Sequence, residues 1–305
     1  MQISTKMFCV VAATVTFTML LLHRCSIDRF EFAGSKYSSA LFEEIKFEET
    51  HTKGNATTES TTVADDGNYN GLADNDKRLL KYAKSILVPP HSRSEPYNLK
   101  NASIVDYSQE STSIFIHSLL KNKTNGFFVE CGALDGEWLS NSLMLEKNFN
   151  WTGLLIEGGA KNVQEMLKKN RKAWVAPTCL STSPKSMAVT FNDNIWAGHI
   201  LQNPNESKAG GYVNITCIPF NTFVDVLELK HIDYFSLDVE GNELEILRTI
   251  DFKKFTIDVM VVEHLNVGNK YDGILQIMKE NGFTLVSKTR LDLTFIHNGT
   301  INKTI

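Results

Sequence analysis

Apolar positions between residues 107 and 297 fall into short runs separated by longer amphipathic stretches. Five of the runs are short, rich in β-branched and aromatic residues and bounded by turn formers. They predict strands over 127–131, 154–157, 173–176, 232–238 and 257–263. Helical spacing covers 111–120, 139–148, 161–169, 222–229, 243–249 and 271–281. Residues 187–191 read as one arm of a hairpin. Strands that alternate with helices in this way form a parallel sheet covered on both faces. The last two runs, 283–287 and 293–297, have too short a connection for a parallel crossover, so an antiparallel hairpin closes the sheet.

Upstream the pattern differs. Residues 7–22 (MFCVVAATVTFTMLLL) carry no charge, with Lys6 before them and His23-Arg24 after. They suit a signal-anchor that is somewhat short for a hydrocarbon core, or a cleaved secretory signal. No small-residue cleavage site follows Leu22, which favours the anchor. The expected organisation is a cytoplasmic tail at 1–6, an anchor at 7–22, a flexible luminal stem at 23–95 and a folded domain at 96–305. Within the stem, 77–87 (KRLLKYAKSIL) has the spacing of a short helix ahead of Pro89-Pro90. Glycosylation triplets begin at Asn55, Asn101, Asn122, Asn150, Asn205, Asn214, Asn298 and Asn302, all after the apolar run, and support a luminal body. Asn150, beside a predicted strand, reads as a plain loop asparagine, and the expected glycosylation sites are Asn55, Asn101, Asn122, Asn205, Asn214 and Asn298. These features place the protein in the endoplasmic reticulum or Golgi membrane, anchored by a single pass.

Composition adds exclusions. The 305 residues are 42% apolar and 22% charged, which excludes a wholly disordered or collagenous chain. A net charge of −4 offers no basic field, so nucleic acid is not an expected partner. Five cysteines without C-x-x-C spacing exclude a disulfide scaffold and a thiolate zinc site. Cys179 and Cys217, in loop-prone PTCLS and ITCIP, are the expected disulfide if the domain is luminal, with two reduced core thiols as the alternative. Cys131 reads as a buried free thiol, and Trp151, Trp174 and Trp196 as core residues. Trp138 is positioned to cover a ligand, and 195–211 reads as an insertion loop able to cap a substrate.

Candidate chemistry gathers at strand ends, where open α/β sheets bind ligands. Three acidic ends fall there: Glu130-Cys131-Gly132-Ala133-Leu134-Asp135-Gly136, then Leu155-Ile156-Glu157, then Leu237-Asp238-Val239-Glu240-Gly241-Asn242-Glu243. Glycines let the first turn approach a ligand closely. Glu157 can accept hydrogen bonds from both hydroxyls of a ribose. An acid inside the first loop repels a pyrophosphate but suits a ligand bearing an ammonium and a sulfonium, such as S-adenosylmethionine. No GKS or GKT phosphate loop is present. Methyl transfer to an oxygen also needs a proton acceptor, for which Asp238, Glu240, Glu263 and His264 are the candidates. Asp238, Glu240 and Glu263 could also hold Mg²⁺, although paired acids without a metal fit equally well, and no metal is assigned.

The segments FVECGALDGE, GLLIE and DYFSLDVEGNELEIL resemble the FkbM-type methyltransferase domain, and more narrowly Star-like membrane proteins of arthropods. The resemblance spans about 107–297. It implies an α/β, Rossmann-like, seven-stranded S-adenosylmethionine-dependent O-methyltransferase fold, mostly parallel with the C-terminal antiparallel hairpin. It carries Glu130, Gly132 and Asp135 to the cofactor loop, Glu157 to the ribose, and Asp238 and Glu240 to the active-site rim. Two departures stand out. Gly158-Gly159-Ala160 replaces the Ala, acid or Asn, and Pro of relatives, and Ser236 stands where many bacterial members have Lys. Two functions remain open: methyl transfer to a glycan or lipid oxygen, or, as the resemblance to Star-like proteins implies, a non-catalytic role moving growth-factor precursors from the endoplasmic reticulum to the Golgi. A luminal enzyme would need cofactor imported from the cytosol.

Overall fold

A computed structural model describes residues 67–193, 198–201, 211–265 and 268–304. The expected tail and anchor, most of the stem, the triplets at Asn55 and Asn205, and Trp196 lie outside these residues. Among the described residues no helix is long and apolar enough to cross a membrane.

In chain order the elements are α1 (Lys77–Ile86), α2 (Thr112–Leu119), β1 (Phe127–Cys131), α3 (Leu143–Phe149), β2 (Thr152–Ile156), α4 (Ala160–Leu167) and β3 (Trp174–Ala176). Then come β4 (Met187–Asn192), β5 (His199–Ile200), β6 (Tyr212–Cys217), α5 (Phe220–Val226), β7 (His231–Leu237), α6 (Glu243–Leu247) and β8 (Thr256–Glu263). The chain closes with α7 (Tyr271–Glu280), β9 (Phe283–Lys288), β10 (Asp292–His297) and α8 (Asn298–Thr304).

Seven strands form the main sheet in the order β3-β2-β1-β7-β8-β10-β9. β3, β2, β1, β7 and β8 run parallel, and β10 is antiparallel to both β8 and β9, as the short last connection requires. The chain leaves β1 towards β3 and returns to β7 on the other side of β1, so the order reverses between β1 and β7. Alternate side chains of each strand feed two separate cores. Val129, Leu154, Phe235 and Met260 pack with residues of α1, α5, α6 and α7. Phe128, Leu155, Tyr234 and Val259 pack with residues of α2, α3 and α4. The result is a three-layer α/β fold, as the alternating pattern predicts.

Three expectations need correction. First, the stem does not extend to residue 95. Leu79 and Ala83 of α1 are fully buried in the first core, Asp76 caps the helix by accepting from the Arg78 N–H at 2.8 Å, and Val88 exchanges backbone hydrogen bonds with Val175 of β3. Burying one leucine is worth about 2 kcal/mol, so this segment belongs to the domain, and the 95/96 boundary is wrong.

Second, the helix expected from 139 starts at Leu143. Leu139 has φ of +57°, and Ser140, Asn141 and Ser142 turn inward to a carboxylate of β1. Third, part of the insertion loop is sheet. β4 pairs antiparallel with β5 and β6 in a second, three-stranded sheet. A disulfide joins Cys179 to Cys217 at the base of this sheet, with Cα atoms 4.5 Å apart. Cys131 is a buried free thiol, Trp151 is fully buried and Trp174 is half-buried.

Candidate functional site at the switch point

The carboxyl ends of β1, β2, β7 and β8 open onto a cavity of about 300 Å³, which residues of β4 and β5 also line. This is the crevice where strand order reverses. Gly132 makes it possible. Its φ is +77°, and a Cβ there would lie 1.9 Å from the carbonyl oxygen of Asp238. The turns after β1 and β7 therefore touch backbone to backbone, and only glycine allows it.

Glu157 directly follows β2, lines the cavity and is 4% exposed. Its two carboxylate oxygens accept from Leu134 N at 2.9 Å and Gly159 N at 2.7 Å. Burial pushes its carboxyl up to about 7, against the lowering effect of those bonds. The departure at Gly158 has a local explanation. A Cβ at that position would meet the Phe191 ring at 2.9 Å, so the glycine admits this aromatic from β4 to the cavity wall.

The other two cofactor-loop acids serve the loop itself. Glu130 borders the cavity, but its carboxylate accepts from Ser140 Oγ at 3.0 Å, Asn141 N at 2.7 Å and Ser142 Oγ. Arg171 reinforces this turn, bonded to Ser142 and to the buried Glu146 at 3.0 Å. Asp135 is a correction. It accepts from Glu137 N and Trp138 N and sits 3.6 Å from Lys169 and 3.8 Å from Lys100. It faces a second, smaller hollow that Trp138 also borders, so neither residue lines the main cavity. Trp138 is about half exposed there.

On the far side the cavity is acidic. Asp238 and Glu240 follow β7, Glu263 ends β8, and Asp292 begins β10 directly opposite Glu263. Glu240 is held at φ of +58°, an uncommon conformation for a side-chain-bearing residue. Behind them Glu243, fully buried, accepts from Val239 N and Gly241 N, each at 3.0 Å, through Oε1. Burial first, and then neighbouring carboxylates, raise these groups. Asp238 stands well above its ordinary range, Glu263 is pushed up to about 9 and Asp292 to about 6. Ser236, at the position of the missing lysine, accepts a hydrogen bond from Asn141 Nδ2 at 3.0 Å, so this position contributes a hydroxyl instead of an ammonium.

His264 is the second correction. Its backbone N–H bonds Leu291, its Nε2 lies 3.1 Å from the Thr289 carbonyl, and its ring packs edge-on against Tyr271. It does not line the cavity and is dropped as the base. Phe191 and Asp292 were not among the expected site residues, and Glu243 was named only within the third acidic strand end, with no role of its own. Asp292 had a legible signal: the start of a strand antiparallel to β8 must lie beside the end of β8.

Residues 130–285 match the methyltransferase FkbM domain family. No curated protein matches the chain. Among solved structures, the precorrin-6y C5,15-methyltransferase of Geobacter metallireducens is 13% identical, with TM-score 0.37, over 67% of this chain and 94% of that one. Fibrillarin of Aeropyrum pernix, in complex with S-adenosyl-L-methionine, is 9% identical, with TM-score 0.35, over 62% and 73%. The FkbM methyltransferase of Methylobacillus flagellatus is 16% identical, with TM-score 0.34, over 57% and 44%.

Proposed function

Since the chain belongs to the FkbM methyltransferase domain family, we propose that it binds S-adenosylmethionine at the β1/β7 switch point and methylates an oxygen of a glycan or lipid. The observation that carries this reading is the cavity bordered by the Gly132 turn and Glu157. The residues present fit that ligand: Gly132 brings backbone instead of a side chain to the base of the cavity, and the carboxyl-lined rim offers oxygens to a cationic group.

Bound there, S-adenosylmethionine supplies an electrophilic methyl group on a sulfonium. Glu157 presents carboxylate oxygens to the ribose hydroxyls. The Gly132 turn brings backbone against the ligand, and Phe191 screens the cavity from water. The acceptor enters from the β8 and β10 side. Glu240 would take the proton of the acceptor hydroxyl as the methyl passes to that oxygen, the methyl–sulfur bond breaking to leave a neutral thioether.

The same reading places the domain in the lumen of the endoplasmic reticulum or Golgi behind an anchor at 7–22. Support comes from the uncharged run itself and from the Cys179–Cys217 disulfide, which suits an oxidising compartment. Exposed triplet asparagines add to it: Asn101, Asn122, Asn150, Asn214 and Asn298 all lie on the surface, Asn150 included.

The test is calorimetric titration of S-adenosylmethionine into the purified full chain, with Glu157→Ala beside it. Saturable binding is expected, weakened about 10- to 100-fold in the variant through loss of charge-assisted hydrogen bonds. A folded wild-type chain that binds nothing at millimolar ligand overturns the enzymatic reading and favours a non-catalytic role.

A further inference from the structure

We infer that Asp238, Glu243 and Glu263 form a binding site for one hard divalent cation at the acceptor side of the cavity. One carboxylate oxygen from each residue lies within 4.8 Å of the other two. Oxygens at opposite corners of a calcium site, each about 2.4 Å from the ion, are separated by about 4.8 Å. The three groups therefore already fit around Ca²⁺. Mn²⁺ or Mg²⁺, with shorter bonds, needs a small contraction.

A second observation is independent of the clustering. Oε2 of Glu243 and Oε2 of Glu263 are buried and have no hydrogen-bond partner. Glu243 is 0% exposed and Glu263 is 6% exposed. Buried carboxylate oxygens are rarely left in this state, because the cost of taking them from water is not recovered. Backbone bonds hold Glu243 in place through Oε1 alone. The charges that weigh on Glu263 come from Asp238, Glu243, Glu240 and Asp292, all carboxylates.

The donor set is entirely oxygen, which selects hard cations over zinc or copper. Asp238 and Glu263 line the cavity, so an ion between them is open to an acceptor oxygen on that side. An ion there would draw a substrate hydroxyl or carboxylate to the rim and lower the pKa of a bound hydroxyl. That selects acceptors bearing a second oxygen near the one methylated, as neighbouring hydroxyls of a sugar do.

The test uses the purified full chain, stripped with EDTA, desalted and titrated with MnCl₂ at neutral pH. Free Mn²⁺ is read by electron paramagnetic resonance. One equivalent withdrawn per chain is expected, displaced by CaCl₂, with binding at least tenfold weaker in Glu263→Gln and in Asp238→Asn. Thermal melting checks that the variants are folded. If an amide variant does not fold, Glu263→Asp, which keeps the charge on a shorter arm, is expected to bind with intermediate affinity. No withdrawal by the wild type at millimolar Mn²⁺ means that the cluster holds protons instead, and overturns the site. Undiminished binding in the folded variants also overturns it. No S-adenosylmethionine is present, so this result and that of the cofactor titration stand or fall separately.

Discussion

β7 and β8 each carry one acid near their start and another at or just after their end, and the two pairs meet opposite fates. At the amino-terminal edge, Asp233 and Asp258 flank His231, whose Nε2 lies 3.1 Å from each. Lys123 also pairs with Asp233, Phe127 N donates to Asp233 at 2.7 Å, and Thr300 donates to Asp258. Although burial raises both carboxyls, these partners hold them below the usual range. At the carboxyl edge, Asp238 and Glu263 meet other carboxylates and stand far above it. The first edge is a finished ion-pair network. At the second, no basic side chain of the described residues pairs with Asp238 or Glu263, which is the pattern of a candidate binding site more than of a structural cluster of the same residue types.

The comparison can be broken at either edge. The largest effect is expected from Gly132→Ala, which drives a methyl into the Asp238 carbonyl and strains a positive φ. It should cost about 3 kcal/mol or more, read by urea unfolding, and abolish cofactor binding. Asp233→Ala at the other edge should cost about 1–3 kcal/mol, because Phe127 N–H and His231 lose their acceptor. Cofactor affinity in that variant should stay within twofold of wild type, and a large loss would show that the edges are not independent.

The smallest effect is a pH dependence. His231 is raised from 6.5 to about 9, chiefly by its hydrogen bonds to Asp233 and Asp258. Its folded pKa is the higher, so its stabilisation is complete below about 6.5 and disappears as pH rises through about 9. Melting temperature should fall over that window and fall less in His231→Asn.

Much of the fold was legible in the pattern. β1 spans the residues expected, and the short last connection dictated the antiparallel β9–β10 pair. Glu157, Asp238 and Glu240 reach the cavity because each ends or follows a strand beside the switch point. Asp135 was misread because its partners, Lys100 and Lys169, come from distant segments that no local pattern connects. His264 follows a strand end just as Asp238 does, but its ring is taken by Thr289 and Tyr271. β6 was missed although Val213, Ile215 and Cys217 alternate with more polar neighbours, because the Asn- and Gly-rich stretch before it reads as loop. α1 was recognised as a helix but not as part of the core, since only Leu79 and Ala83 of its ten residues are buried.

The backbone bridge between Val88 and Val175 also bears on solubility. β3 ends the seven-stranded sheet, and an open strand edge invites pairing with another chain. Val88 occupies part of that edge, so the segment around α1 serves as a guard rail as well as a core element. A protein trimmed to begin at residue 96 would lose the rail and bare both β3 and the apolar surface beneath α1. It would tend to self-associate, and its failure to bind a ligand would then say nothing about the site.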